Sequence, residues 1–156
     1  MLKQSLFALT LASFSLGCAH SNAPRKLTQY SMSAIRLDEA IRVKCKINSA
    51  VTPVFDFSSS ELSEEAKSTL DAIAACFVDG HLKGKNLRLI GFTDPQGTRA
   101  ENYELGLERA EMVARFLERN GVKRTNLIVS SRGEQGASPD PARWPADRIV
   151  DLSIAN

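Results

Sequence analysis

Residues 92–117, FTDPQGTRAENYELGLERAEMVARFL, contain the turn and the helix from which the rest of the fold can be placed. The Pro95–Gly97 turn follows an apolar run at 87–92 and predicts the end of a strand there. A helix is predicted over 101–119 and ends at Asn120–Gly121, a favourable C-terminal cap. At ~100° per residue, its charged side chains share one arc and its apolar side chains the other.

Two polar residues lie within the apolar arc of this helix, Asn102 and, about 20° from it, Arg109. A guanidinium removed from water costs several kcal/mol unless an anionic group meets it. Asp94 ends the preceding strand and is therefore expected to flank the same small pocket as Arg109. Either the two side chains bind a ligand between them or they pair only with each other, and the residues alone do not decide which.

The spacing T-D-x-x-G-x-x-x-x-N-x-x-L-x-x-x-R-A-x-x-V resembles the signature of the OmpA-like peptidoglycan-binding domain family. The family usually has serine after the leucine, where this chain has Gly106. The matching positions are Thr93, Asp94, Gly97, Asn102, Leu105, Arg109, Ala110 and Val113.

Three further segments resemble the same family, and together the resemblance covers roughly residues 46–156. Val54–Ser58 resembles its first strand. Ser131–Glu134 resembles its G-x-G-E turn, with serine in place of the first glycine. The segment 147–152 resembles a strand that often begins with two adjacent arginines, of which only Arg148 is present and Ile149 takes the second place.

The order of predicted elements gives an α+β fold, a two-layer βαβαββ sandwich. It has a mixed four-stranded sheet and two main helices on one face. The segment Ile35–Val43 is compatible with a short helix or with a strand docked on the domain. The predicted strands are 54–57, 87–92, 127–131 and 148–154, and the predicted helices are 63–78 and 101–119.

The N-terminal residues have the features of a targeting segment. Residues 1–17 have a short positive start and an apolar stretch too short to span a bilayer, which is typical of a signal peptide. Ser15–Cys18 resembles a bacterial lipobox, which implies lipidation of Cys18; the alternative is an ordinary cleaved signal peptide with a chance cysteine. Ala19 after the cysteine implies the outer membrane, periplasmic face. Residues 18–45 are expected to be a tether and preface, and 46–156 the domain.

The two remaining cysteines, Cys45 and Cys76, form an even pair suited to an oxidising periplasm. We expect a disulfide between them, and the alternative is two buried free thiols. His20 and His81 are far apart in the chain, so no metal site and no cofactor are expected. A net charge of +2 without a basic stripe gives no indication of nucleic-acid binding.

The resemblance implies a ligand, the diaminopimelate of peptidoglycan stem peptides, whose free end carries an ammonium and a carboxylate. Asp94 would accept the ammonium and Arg109 would hold the carboxylate in a fork. Thr93, Gly97, Asn102 and Arg148 would shape the site or touch the ligand. The expected function is a non-catalytic tether between outer membrane and cell wall.

Two other function classes compete with this one. One is an interaction subunit that docks envelope proteins, with wall binding secondary. The other is a wall hydrolase, which is disfavoured because no nucleophile, metal set or carboxylate pair with a raised pKa is evident in the sequence.

Overall fold

A mixed four-stranded sheet with helices on one face forms the domain in the computed structural model, which describes residues 35–47 and 55–155. The strand order is β1-β4-β2-β3, with β1 parallel to β4, β2 parallel to β3 and β2 antiparallel to β4. The predicted α+β class and mixed sheet are confirmed. The elements are β1 (Ile35–Leu37), α1 (Glu39–Lys44), α2 (Glu64–Val78), β2 (Asn86–Phe92), α3 (Arg99–Arg119), β3 (Leu127–Gly133), α4 (Trp144–Asp147) and β4 (Val150–Ala155).

Most of the predicted bounds are confirmed to within two residues. Helix α3 begins earlier than predicted because Thr98 is its N-cap: the Thr98 side chain accepts from the Glu101 N–H, and the Glu101 carboxylate accepts from the Thr98 N–H. Strand β4 begins at Val150 rather than at residue 148.

The strand predicted at 54–57 is wrong for the residues that the structure describes. Phe55 is buried, but Phe57 is 61% exposed and lies in a turn that the Ser59 N–H closes on the Asp56 carbonyl at 3.1 Å. Ser58 has a φ of +53°, which ends any extended conformation there. The apolar alternation around Phe55 therefore anchors a turn on the core instead of forming a strand.

The segment Ile35–Val43, predicted to be either a short helix or a strand, contains one of each. Its strand, β1, replaces the strand predicted at 54–57 as a member of the four-stranded sheet. Asp38 caps α1 by accepting from the Ile41 N–H at 2.8 Å and also accepts from the Ile154 N–H of β4 at 3.1 Å. Ile35 and Ile41 are 3% and 0% exposed. Residues 35–44 thus belong to the sheet and core, N-terminal to the predicted domain start at 46; the predicted division into tether and domain otherwise stays a prediction.

A disulfide joins the C-terminal end of α1 to α2. It links Cys45 to Cys76, whose Cα atoms are 5.5 Å apart, across a sequence separation of 31 residues. Cys76 lies in the core cluster, and Cys45 packs against it. The bond therefore attaches the β1–α1 unit to the main helical layer.

Replacing both cysteines, as Cys45→Ser with Cys76→Ser, should lower the free energy of unfolding by about 3.5 kcal/mol, because the unfolded chain regains the freedom of the open loop. Urea denaturation of the two proteins measures the difference. An unchanged midpoint would contradict a stabilising role for the bond.

Helix α3 approaches the sheet most closely where two glycines face each other. A Cβ on Gly91 would lie 1.7 Å from the Gly106 carbonyl oxygen, so neither strand nor helix has room for a side chain there. A Cβ on Gly106 would lie 2.4 Å from Ser131 Oγ. The strand therefore places a serine hydroxyl where the resemblance expects one from the helix, and the departures at Gly106 and Ser131 compensate each other.

This compensation predicts that the two positions are coupled. Gly106→Ser should lower the free energy of unfolding by about 1–3 kcal/mol, because its side chain meets Ser131 and the Gly91 backbone. Adding Ser131→Gly removes the nearer obstacle and should recover part of that loss. A double-mutant cycle by urea denaturation measures the coupling, and strictly additive losses would contradict the explanation.

Candidate functional site

A cleft of about 660 Å³ lies between the 56–59 turn, the segment after β2 and the first half of α3. Four of the six residues predicted for the site line it, namely Thr93, Asp94, Gly97 and Asn102. The other two, Arg109 and Arg148, lie behind this wall. The tip of the turn, Phe57 and Ser58, forms another wall of the cleft, and these two residues were not among those predicted for the site.

Arg109 is fully buried, at 0% exposure, and its guanidinium binds three backbone carbonyls. Nε donates to the Ser59 carbonyl at 2.8 Å, one terminal nitrogen to Phe92 at 2.9 Å and the other to Asp56 at 3.1 Å. Three of its five N–H donors are thus occupied. The guanidinium also lies over the Phe55 ring, 5.1 Å from its centroid. In this structure Arg109 does not form the expected open fork towards a ligand.

The pKa of Arg109 is lowered to about 10, mainly by burial and next by the positive charge of Arg148, while the charge of Asp94 opposes the shift. The guanidinium remains charged at neutral pH. A charge is therefore held inside the protein by carbonyl dipoles and an aromatic face. Asp94 contributes only from a distance.

The bonds of Arg109 fix the turn that forms the cleft wall. Its donors reach the carbonyls of Asp56 and Ser59, which are the two ends of that turn. No described residue accepts a hydrogen bond from the backbone N–H of Phe57 or Ser58 at the tip. Arg109 is thus a positioning residue: it holds the turn whose tip lines the cleft and whose two N–H groups have no acceptor among the described residues.

Asp94 forms its ion pair with Arg148 rather than with Arg109. Its Oδ2 lies 3.3 Å from the Arg148 terminal nitrogen, and its Oδ1 accepts from the Gln96 N–H at 3.0 Å. Arg148 also donates from Nε to the Phe55 carbonyl at 2.7 Å. Asp94 is 3% exposed as a whole residue, and its carboxylate is oriented by its bonds to Arg148 and to the Gln96 N–H.

Two buried polar atoms of the cleft wall lack partners among the described residues. They are Thr93 Oγ1 and Asn102 Nδ2, on side chains that are 2% and 3% exposed as whole residues. A buried polar atom without a partner costs about 1–3 kcal/mol. Two such atoms beside one carboxylate indicate that this wall is suited to bind a polar ligand or ordered water.

The rim of the cleft is acidic. The capping box places the Glu101 carboxylate at the start of α3. The hydrogen bond from the Thr98 backbone is the main cause that lowers the pKa of Glu101. Glu104 and Glu108 on the next turns of the helix also line the cleft. A cationic group is therefore the part of a ligand that this rim attracts.

The sequence model of the OmpA family matches residues 54–148 of this chain. The chain belongs to the OmpA family. The resemblance drawn from the Thr93–Val113 motif is thereby confirmed.

Sequence similarity to two proteins from other bacteria supports this membership. The peptidoglycan-associated lipoprotein of Pseudomonas putida is 32% identical over 126 residues, covering 79% of this chain and 74% of the relative. Outer membrane protein P5 of Haemophilus influenzae is 26% identical over 151 residues, and the match covers 89% of this chain but 41% of P5.

Solved structures have the same fold. The peptidoglycan-associated lipoprotein of Burkholderia pseudomallei superposes with a TM-score of 0.61 at 29% identity, covering 66% of this chain and 88% of that one. The C-terminal domain of Helicobacter pylori MotB superposes with a TM-score of 0.59 at 22% identity, covering 68% of this chain and 85% of that one. The MotB likeness concerns the fold alone.

The predicted signal peptide, 1–17, and the predicted lipidation site, Cys18, lie outside the described residues. Among the helices that are described, none is both long enough and apolar enough to cross a bilayer.

Because Arg109 satisfies three buried carbonyls, Arg109→Ala should lower the free energy of unfolding by about 3 kcal/mol or more. Arg109→Lys should lose less but not recover wild-type stability, since an ammonium cannot reproduce the planar fork. Arg115→Ala, an exposed arginine of the same helix, is the matched control and should change stability by about 0.5 kcal/mol or less. Urea denaturation distinguishes them, and equal stabilities of Arg109→Ala and Arg115→Ala would contradict the role given to Arg109.

Proposed function

We propose that this protein is a non-catalytic lipoprotein of the outer membrane that binds peptidoglycan through the diaminopimelate of stem peptides. The observation that carries the proposal is the wall of the cleft. Asp94 lies there beside two buried polar atoms without described partners, Thr93 Oγ1 and Asn102 Nδ2. Membership of the OmpA family and the names of the lipoprotein relatives support the same ligand.

The zwitterionic end of diaminopimelate fits the two walls of the cleft by charge. Its ammonium is attracted by the acidic rim and accepted by Asp94, which keeps free lone pairs beside its bonds to Arg148 and Gln96. Its carboxylate would meet the N–H groups at the tip of the turn, which have no acceptor among the described residues and where the left-handed Ser58 follows Phe57. Successive backbone N–H groups of this kind form a concave site for anions.

Arg109 serves the same ligand indirectly in this proposal. It holds both ends of the turn, and the proposal is that this positions the N–H groups of the tip before a ligand arrives. Preorganised donors bind better because the ligand does not have to order them. The positive charges of Arg109 and Arg148 also favour the carboxylate over a neutral group.

The lipid anchor belongs to the same proposal. Cys18 would carry the acyl chains, and residues 19–34 would separate it from β1. A chain of that length spans at most roughly 55 Å. The domain would thus reach wall peptides that lie close to the inner face of the outer membrane.

Removing the charge of Asp94 tests the binding site. Asp94→Asn should lower the affinity for purified sacculi about 30-fold or more, because a partly desolvated ammonium loses its counter-charge. Co-sedimentation of the full-length protein with sacculi measures binding, and thermal melts confirm folding.

Glu118→Gln, an exposed carboxylate near the far end of α3, is the matched control and should pellet like wild type. If folded Asp94→Asn also pellets like wild type, the cleft is not the binding site, and the docking of an envelope protein becomes the better explanation. Release of soluble muropeptides by wild type would instead indicate a hydrolase.

The anchor has its own test. Cys18→Ser should yield a protein without acyl chains that leaves the membrane fraction or keeps its signal segment, since the thiol is the acceptor of the lipid. Mass spectrometry of the mature N-terminus distinguishes the forms. A wild-type chain that begins elsewhere and is unmodified would contradict the anchor.

A further inference from the structure

The proposed ligand leaves part of the cleft unused. The cleft volume of about 660 Å³ is in the range of pockets that enclose a drug-sized molecule, whereas the zwitterionic end of diaminopimelate is the end of a single amino acid. Asp94 and the two buried polar atoms without described partners, Thr93 Oγ1 and Asn102 Nδ2, lie in the segment after β2 and in the first turn of α3. From there the cleft continues along α3 as far as Glu108. The neighbouring residue of a wall peptide therefore has room beside this helix.

The wall along α3 has three glutamates on one face of the helix. Glu101, Glu104 and Glu108 have the i, i+3 and i+7 spacing that places side chains on one side of a helix. All three are exposed and line the cleft. At 1.5 Å per residue they extend over roughly 10 Å. Glu101 bonds to Thr98 in the capping box, whereas Glu104 and Glu108 form no ion pair with any described residue.

The charges that line and back the cleft do not balance. Four carboxylates line it, those of Asp94 and the three glutamates, and its described lining residues include no lysine or arginine. Behind the wall lie two guanidiniums, that of Arg109 on the turn and that of Arg148 on Asp94. Four carboxylates against two guanidiniums leave an excess of two negative charges. The end of diaminopimelate brings one ammonium and one carboxylate, so this excess remains when the proposed ligand is bound.

We propose, on the basis of the function proposed above, that the glutamate face of α3 selects wall peptides in which the residue next to diaminopimelate carries an amide instead of a carboxylate. In stem peptides that residue is a glutamate joined through its side chain, which leaves its α-carboxylate free or converted to an amide. Glu104 and Glu108 repel a free carboxylate, whereas the N–H groups of an amide can donate charge-assisted hydrogen bonds to them. The protein therefore binds amidated stem peptides in preference to non-amidated ones.

The test compares two synthetic peptides, N-acetyl-L-alanyl-γ-D-glutamyl-diaminopimelate and the same peptide with the glutamate α-carboxylate as its amide. Acetylation removes the N-terminal ammonium, which the glutamates would attract in both peptides. Calorimetric titration of the full-length protein in an uncharged detergent at about 0.01 M salt should show about fivefold tighter binding of the amide, the effect of two carboxylates roughly 8 Å away across water. At about 1 M salt, where the screening length is about 3 Å, the preference should fall below about twofold.

A pair of double variants assigns the preference to the glutamate face. Glu104→Gln with Glu108→Gln should remove most of the preference, chiefly by strengthening the binding of the acid. Asp71→Asn with Glu118→Gln is the matched control and should retain the preference. It removes the same charge from two exposed carboxylates that do not line the cleft and form no ion pair with any described residue. Thermal melts confirm that both double variants fold.

The outcomes separate this inference from the proposed function. If wild type binds the two peptides equally or prefers the acid, if the preference is unchanged at high salt, or if both double variants behave alike, the glutamates do not select the ligand. Binding of both peptides would still support the proposed function in each of these cases. If wild type binds neither peptide, or if Asp94→Asn leaves the binding of both unchanged, the proposed function is overturned and this inference with it.

Discussion

The buried guanidinium of Arg109 is the interaction on which both the fold and the proposed site depend. From one side chain of α3 it donates to carbonyls of the 56–59 turn and of the end of β2. It therefore connects three separate segments of the chain, namely the turn, β2 and α3. Burying a charge is unfavourable by itself. The structure offsets that cost with three carbonyl dipoles and the Phe55 ring, and the result is a turn held rigidly against the cleft.

Arg109 and Arg148 hold different parts of the cleft. Arg148 pairs with Asp94 and orients its carboxylate, whereas Arg109 holds the wall formed by the turn. Each cation is bound to a carbonyl of the 55–59 segment, so that segment is attached to both sides of the cleft. In this account the cleft is preformed, and its ligand meets backbone N–H groups and a carboxylate that are already oriented.

Local patterns in the sequence were sufficient to predict α2, α3 and three of the four strands, because periodicity and capping residues are local signals. The strand β1 could not be assigned in this way, since its three residues become a strand only by pairing with β4, as in the contact of Arg36 with Asp151 across 115 residues. The helical wheel correctly predicted that Arg109 faces the sheet. It could not reveal that the acceptors are backbone carbonyls, two of which lie 50 and 53 residues earlier in the chain. The complementary departures from the family pattern at Gly106 and Ser131 are likewise visible only in the structure, where helix and strand meet.

The most direct test of the account is a titration of the protein with a diaminopimelate-containing tripeptide, followed by proton–nitrogen NMR. We expect saturable shifts of the Phe57 and Ser58 amides and of the Asn102 side-chain amide, while the Arg109 Nε–H signal keeps its position because its carbonyl bond is retained. A large shift of the Arg109 signal, together with rearrangement of the 56–59 turn, would mean that the ligand binds the guanidinium directly. That result would contradict the positioning role on which the account depends.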